Sequence, residues 1–193
     1  MRKAVLISIK PEWCERIASK RKTIELRKTK PKLKTPFKVY IYCTKGAPYL
    51  NRKNGVCYLE EKDTLGGRGP GLYQRLSGTV IGEFVCDGFL SHCEMANADI
   101  AEAQSLVRRE KILEYAGENE VFGWHISDLV IYDKPKELSE FYRLCNGFNR
   151  DVGKCWDCEA AIGDERECSI DGLLPILRPP QSWCYVEDSV GGV

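Results

Sequence analysis

The stretch KRKTIELRK, residues 20–28, combines a strand-like centre with five basic residues and one acid. Side chains of a strand alternate between its two faces, so Ile24 and Leu26 share one face and predict contact with a hydrophobic core. The opposite face carries Thr23, Glu25 and Arg27. This charged face has two explanations: a solvated edge whose lysines discourage aggregation, or the lining of a binding site.

Basic residues are concentrated at the start of the chain. Residues 1–53 hold 16 Lys and Arg against 3 Asp and Glu, and the remaining residues hold 13 against 25. The formal net charge of +1 therefore combines +13 in one part with −12 in the other. Dense cations such as those of RKTKPKLK, residues 27–34, gain affinity for polyanions by releasing counterions from phosphates. The distribution favours a nucleic-acid partner, with mutual neutralisation of the two parts as the alternative.

The composition is that of a single globular domain. The chain has 193 residues, of which 43% are hydrophobic and 30% charged. No apolar run approaches the roughly 20 residues of a membrane helix. The N-terminal segment MRKAVLISIKPEW begins like a signal peptide, but Lys10 and Pro11 interrupt its apolar run without a small-residue cleavage site. We expect a first strand there, in a cytoplasmic protein with no membrane partner.

The hydrophobic pattern predicts an α+β domain, a mixed and mostly antiparallel β-barrel with flanking helices, because no βαβ unit repeats. The strand-like segments are AVLISI, TIELRK, FKVYIYCT, GTVIGEFVCDGFL, VFGWHISDLVIY and WCYVE. Pro11 suits the first turn of one helix. Asn97 can cap a second helix, which ends at Gly117 or breaks near Arg108. Residues 44–77 are expected to form a long loop with a hairpin at NGVCYLEE.

Several segments, in order along the chain, resemble the ASCH domain, a member of the PUA-like superfamily of RNA-binding barrels. The similar segments are LISIKPEWCERIASKRKTIELRKTKP, KVYIYCTKG, GTVIGEF, GWHISDLVIYDKPKELSEF and the closing RPPQSWCYVE. The Lys-Thr-Ile-Glu-x-Arg motif at residues 22–27 is the most recognisable element. The resemblance implies a small PUA-like barrel with a cleft beside the first helix, lined by this strand, that binds RNA, a nucleotide or a modified nucleoside.

The resemblance implies that the charged face of the 22–27 strand lies in this cleft. Lys22 and Arg27 would hold a phosphate or a base edge, and Glu25 would accept a hydrogen bond from an exocyclic amine. Pairing of Glu25 with Arg27 or a lysine is the structural alternative. The candidate nucleic-acid-binding or ligand-binding residues are Lys10, Lys20, Lys22, Thr23, Glu25, Arg27, Lys30, Lys32 and Lys34.

A hydrolase acting on a modified nucleoside or on RNA is the second interpretation. Some ASCH-like amidohydrolases deacetylate an acetylated cytidine with a Lys and a Thr of the equivalent strand. Lys22 matches that Lys, but Glu25 stands where the nucleophilic Thr would be, and a carboxylate replaces an activated hydroxyl poorly. A ribonuclease would use Lys22 to stabilise charge and His125 as acid or base, so the catalytic candidates are Lys22, Glu25 and His125. His125 equally suits the edge of a core.

A module that binds an acidic protein partner through its basic face is the third interpretation. Such a partner would be attracted by the same lysines that favour RNA, so the sequence leaves this alternative open. The oligomeric state and the recognised RNA sequence also stay open.

Four of the ten cysteines form a cluster with the spacing C-x9-C-x2-C-x9-C. Four thiolates complete a tetrahedral zinc site, and a segment so poor in large apolar residues does not fold by burial alone. We expect residues 145–173 to form a zinc-stapled insertion in a domain made of residues 1–144 and 174–188, with free or redox-active cysteines as the alternative. The clustered residues are Cys145, Cys155, Cys158 and Cys168.

Overall fold

The computed structural model describes residues 2–62, 73–90, 98–145, 148–149, 154–155 and 172–188. Asn97, Cys158 and Cys168 lie outside these ranges, so the predicted helix cap and half of the cysteine cluster are not part of the description.

The described residues contain fifteen strands and three α-helices. The strands are β1 (Arg2–Ile9), β2 (Ile24–Arg27), β3 (Phe37–Cys43), β4 (Tyr49–Lys53), β5 (Val56–Glu60), β6 (Tyr73–Arg75), β7 (Val80–Cys86), β8 (Phe89–Leu90), β9 (Phe122–His125), β10 (Ser127–Lys136), β11 (Tyr142–Leu144), β12 (Phe148–Asn149), β13 (Lys154–Cys155), β14 (Leu173–Pro175) and β15 (Trp183–Asp188). The helices are α1 (Pro11–Ala18), α2 (Ala98–Ser105), α3 (Arg109–Ala116) and a 3-10 helix (Leu138–Glu140).

A five-stranded mixed sheet in the order β10-β7-β3-β1-β15 forms the centre of the domain. Within it β1 pairs in parallel with β3, and the other neighbours are antiparallel. Val5, Ile7 and Ile9 pack in a core cluster on one face, while Ala4 and Leu6 pack in a second cluster on the other. Because both faces are covered, β1 is a nearly continuous apolar run rather than an alternating one.

The strand with the charged motif, β2, lies at the edge of a second sheet in the order β2-β9-β8. Ile24 and Leu26 pack with Ala101 of α2 and Ile112 of α3, which confirms the predicted core contact of the aliphatic face. The other face of β2 is directed towards β1, where Arg27 donates a hydrogen bond to the carbonyl oxygen of Ser8. Both faces of the strand are therefore covered by other elements.

Between residues 44 and 77, the described parts (44–62 and 73–77) contain three strands, so the predicted long loop was wrong there apart from its hairpin. The Asn54-Gly55 turn joins β4 to β5, with φ of 50° and 80° at its two residues, values that suit a two-residue hairpin. β6 pairs with the other edge of β4 and completes a three-stranded sheet. Asn51, Arg52 and Lys53 are three consecutive polar residues, so β4 lacks the alternation of apolar and polar residues that indicates a strand.

The second predicted helix both breaks and ends where its sequence suggested. Leu106, with φ of 57°, separates α2 from α3 just before Arg108, and Gly117, with φ of 58°, follows the end of α3. The two alternatives therefore occur together. This break turns the chain so that both short helices lie against β2.

The architecture confirms a mixed, mostly antiparallel α+β fold. The predicted barrel closure is not observed among the described residues, where β10 and β15 are the two edges of the central sheet. In those same residues, no helix has the length and apolar character needed to cross a membrane.

The strands on either side of the cysteine-rich segment pair with each other. β11 is antiparallel to β14, and the backbone N–H of Cys145 donates a hydrogen bond of 2.8 Å to the carbonyl oxygen of Gly172. The chain therefore leaves and re-enters the domain at one place. Cys145 is half-buried, and Cys155 lies in β13, which pairs with β12.

Candidate binding cleft

A cleft of about 870 Å³ opens where the end of β1, the first turn of α1, β2 and α3 meet. Three of the predicted binding residues line it: Lys10, Glu25 and Arg27. Two aromatic side chains that the sequence analysis did not assign to the site also line it, Trp13 from α1 and Tyr115 from α3. The cleft thus joins aromatic walls to charged groups of the β2 motif.

A buried network of three charges lies beside the cleft. Glu25 Oε1 is 2.6 Å from Arg27 Nη1, and Glu25 Oε2 is 3.4 Å from Lys22 Nζ. The side chains of Lys22, Glu25 and Arg27 are only 2%, 5% and 13% exposed. The carboxylate compensates one of the two cations, so the network keeps one net positive charge. Glu25 therefore forms the ion pairs that were the structural alternative, and it also lines the cleft.

Lys22 is closed off from the cleft, which it does not line. Its Nζ donates a hydrogen bond of 2.8 Å to the carbonyl oxygen of Ser105 and lies 4.9 Å from the centroid of the Trp13 ring. Burial lowers the pKa of Lys22 because it disfavours the charged form, and the nearby Glu25 carboxylate opposes this shift. Lys22 therefore acts as a buried support beneath Trp13.

Arg27 presents a fixed positive charge to the cleft. Its Nη2 donates to the carbonyl oxygen of Ser8 at 2.6 Å, and its Nη1 donates to the carbonyl oxygen of Leu26 at 3.0 Å as well as to Glu25. A guanidinium held by several acceptors loses little further conformational freedom when an anion approaches. The cleft therefore has a preorganised cation in its wall.

The segment before β15 forms another part of the cleft wall. Ser8 Oγ donates to the carbonyl oxygen of Pro180 at 2.7 Å, and the backbone N–H of Ser8 donates to the carbonyl oxygen of Ser182 at 2.9 Å. These bonds hold Gln181 beside the end of β1, where it lines the cleft. The RPPQS stretch, residues 178–182, was part of the family resemblance, but nothing in its sequence predicted that it would line a binding site.

The lysines of the 28–34 loop lie at a separate surface. Lys30, Lys32 and Lys34 line a shallow depression of about 390 Å³ together with Phe89. Lys30 Nζ lies 5.7 Å from the centroid of the Phe89 ring and 4.8 Å from that of Phe122, so aromatic rings hold its charge in place.

Besides the buried Lys22, two further predicted binding residues line neither surface. Lys20 is exposed just after α1 and lines neither depression. Thr23 is half-buried, and its backbone N–H donates to the carbonyl oxygen of Gln104 while its own carbonyl accepts from Ile126. Thr23 therefore joins β2 to α2 through its backbone.

His125 lies on the opposite face of the β2–β9 sheet from Glu25. It pairs directly with Ile24 in the antiparallel register, whereas Glu25 pairs with Trp124, and directly paired residues point to the same side. His125 Nδ1 is 2.5 Å from Asp87 Oδ1, and this hydrogen bond lowers the pKa of the Asp87 carboxyl. The three catalytic candidates do not converge on one site.

The predicted zinc site falls mostly outside the description. Cys145 is the one clustered cysteine whose side chain the structure describes, and it is half-buried. Within the described ranges, no group of three or more His, Cys, Asp or Glu side chains could hold a metal ion. Zinc binding by the cluster therefore stays a prediction.

No family model and no curated protein sequence matches the chain, whereas solved structures do. A crystal structure of ASCH from Zymomonas mobilis has a TM-score of 0.53 and 16% sequence identity, and the match covers 96% of this chain and 88% of that one. Crystal structures of a tyrosine-to-phenylalanine and a serine-to-alanine mutant of the same protein match with TM-scores of 0.50 at 16% identity, covering 97% of this chain and 92% and 90% of theirs. This chain therefore has the fold of ASCH proteins, which confirms the resemblance found in its sequence.

Proposed function

We propose that the chain is an RNA-binding domain of the PUA-like type and that its cleft holds a nucleotide of the RNA. The observation that carries this proposal is the presence of Trp13, Tyr115 and the fixed guanidinium of Arg27 in one cleft of about 870 Å³. Aromatic rings stack on unpaired bases, and cations attract phosphates. The volume lies in the range typical of small-ligand sites, roughly 300 to 1,000 Å³.

The polar groups of the cleft divide naturally between the parts of a nucleotide. Lys10 is exposed at the rim and suits a phosphate, since an ammonium there keeps its hydration until it meets an anion. Glu25 and Gln181 suit the edge of a base, because they offer hydrogen-bond acceptors and, in Gln181, also donors. Specificity would come from these two residues, and affinity from stacking and charge.

A hydrolase receives less support from the geometry. A catalytic Lys22 would have to reach the substrate, yet its ammonium is bonded to Ser105 and Glu25 beneath Trp13. His125 lies on the other face of the sheet and pairs with Asp87. Turnover of an acetylated cytidine, or of RNA, by the purified protein would favour the hydrolase over a binding function.

We expect the affinity for single-stranded RNA to fall steeply as salt rises, because each phosphate bound by a cation releases counterions. Reversing the charge of a loop lysine in Lys30→Glu, Lys32→Glu or Lys34→Glu should weaken binding for all RNA sequences and reduce the magnitude of the logarithmic salt slope by about 0.7 to 1. Fluorescence anisotropy at several salt concentrations measures both effects. Lys134→Glu, at an exposed lysine of β10, is the control and should change binding less. Equal affinity at low and high salt would contradict the proposal.

We further propose that Cys145, Cys155, Cys158 and Cys168 bind a structural zinc ion, because four thiolates suit tetrahedral zinc and the segment has little apolar material. Purified protein should contain about one zinc per chain by elemental analysis. Cys155→Ser should release it and expose residues 145–173 to protease before the rest of the domain, whereas Cys57→Ser should retain it. Protein prepared without chelator and free of metal would overturn the zinc assignment.

A further inference from the structure

The three-stranded sheet β4-β5-β6 has one face anchored to the rest of the domain. Leu50 is fully buried in the main core cluster, and Cys57 packs against that cluster from the neighbouring strand. Arg52, on the same face, donates to the carbonyl oxygen of Tyr132 at 2.7 Å and to Gln74 Oε1 at 2.8 Å. These contacts fix which side of the sheet points away from the core.

The opposite side of this sheet is rich in tyrosines and cations. Its members follow from the register, since Lys53 pairs with Val56 and Tyr73, and Asn51 pairs with Tyr58 and Arg75. We name this side the tyrosine face, which consists of Tyr49, Asn51, Lys53, Val56, Tyr58, Glu60, Tyr73 and Arg75.

Cations lie over two of the tyrosine rings. Lys53 Nζ is 4.7 Å from the centroid of the Tyr73 ring, and Arg75 Cζ is 4.8 Å from that of Tyr49. The acidic Glu60 is engaged within the face, because its Oε2 accepts a hydrogen bond of 2.7 Å from Asn51 Nδ2. The face therefore offers aromatic rings beside positive charge, with its one carboxylate already bonded.

We propose that the tyrosine face binds the bases of single-stranded RNA that flank the nucleotide held in the cleft. Sheets that present aromatic side chains are a recurrent surface for stacking unpaired bases, and the neighbouring cations would meet the phosphates. This surface goes beyond the cleft function proposed above. α1 packs against β4 and β5 on the side opposite the tyrosine face, in the core cluster that contains Leu50, and its Trp13 lines the cleft.

RNA suits this face better than a protein partner does. The centres of protein interfaces are depleted in lysine and rich in buried apolar groups. Here Lys53 lies over the Tyr73 ring, and Val56 is the face's one aliphatic residue. Charge and aromatic stacking, rather than apolar burial, are what the face provides.

The test compares a trinucleotide with an oligonucleotide of about fifteen residues, each labelled for fluorescence anisotropy with the full chain. Tyr73→Ala should lower the affinity for the long oligonucleotide about tenfold and leave the affinity for the trinucleotide unchanged, because only the longer RNA reaches the tyrosine face. Tyr73→Phe should keep the affinity, since the ring is retained. Tyr142→Ala is the matched control, because Tyr142 is 40% exposed on β11 and Tyr73 is 36% exposed on β6.

Each outcome distinguishes the two surfaces. An unchanged affinity of Tyr73→Ala for the long oligonucleotide would overturn the inference, as would an equal loss for both RNAs, which indicates damage to the fold. A loss of binding to a protein partner with RNA affinity intact would instead identify the face as a protein interface. If the trinucleotide fails to bind the wild-type chain while the long RNA binds in a Tyr73-dependent manner, the cleft proposal fails, and RNA binding by the tyrosine face stands without it.

Discussion

Replacing Glu25 with alanine is expected to lower the free energy of unfolding by about 3–5 kcal/mol, the range seen when one partner of a buried ion pair is removed. Glu25 forms ion pairs with both Lys22 and Arg27, and all three side chains are largely buried. Its loss leaves two neighbouring cations in a low-dielectric environment without compensation. Urea or guanidinium unfolding of the two proteins measures the difference.

A surface pair provides the control for this prediction. Glu15 Oε2 lies 2.6 Å from Arg21 Nη2, but the Arg21 side chain is 58% exposed, so Glu15→Ala should cost only about 0–1 kcal/mol. Adding Lys22→Met to Glu25→Ala should recover part of the loss, because one uncompensated cation is removed. Similar small losses for Glu25→Ala and Glu15→Ala would show that the network does not support the fold.

Removal of the Trp13 ring is expected to weaken RNA binding about tenfold or more, since stacking of a base on an aromatic side chain contributes roughly 1–3 kcal/mol. Trp13 and Tyr115 line the cleft from α1 and α3. Tyr115→Ala should therefore have an effect of the same kind. Anisotropy with a trinucleotide is the suitable measurement, because so short an RNA reports on the cleft.

Two further variants separate stacking from damage to the fold. Trp13→Phe keeps an aromatic ring over the Lys22 ammonium and should retain most of the affinity. Leu113→Ala changes an exposed residue of α3 that does not line the cleft and should leave binding unchanged. Equal losses for Leu113→Ala and Tyr115→Ala would mean that α3 acts through its stability rather than through a cleft wall. Thermal unfolding of each variant checks the fold.

Local patterns predicted the elements that surround the site. Alternation placed Ile24 and Leu26 on the core side of β2, and Pro11 marked the start of α1. These features depend on neighbouring residues and on periodicity, which a sequence displays directly. The β4-β5-β6 sheet was missed except for its Asn-Gly turn, because the polar Arg52 and Gln74 lie on its core-facing side and remove the alternation of apolar and polar residues.

The depth of the charged residues could not be predicted from the sequence. The family resemblance implied that Lys22 and Glu25 lie in a cleft, yet both are buried, and of the two only Glu25 lines it. That arrangement depends on Ser105 and Trp13, which reach Lys22 from α2 and from α1. The position of Tyr115 in the cleft could not be predicted either, because the break at Leu106 decides where α3 lies. Long-range contacts of this kind leave no periodic signal.

Photo-crosslinking of RNA that contains 4-thiouridine, followed by mass spectrometry of the protein, tests the central claim most directly. If the cleft holds an RNA nucleotide, crosslinks should map to the peptide with Trp13 and to the peptide with Tyr115, and unlabelled trinucleotide should compete them away. Crosslinks confined to the lysine loop at residues 28–34, with both cleft peptides unmodified under the same conditions, would contradict the account.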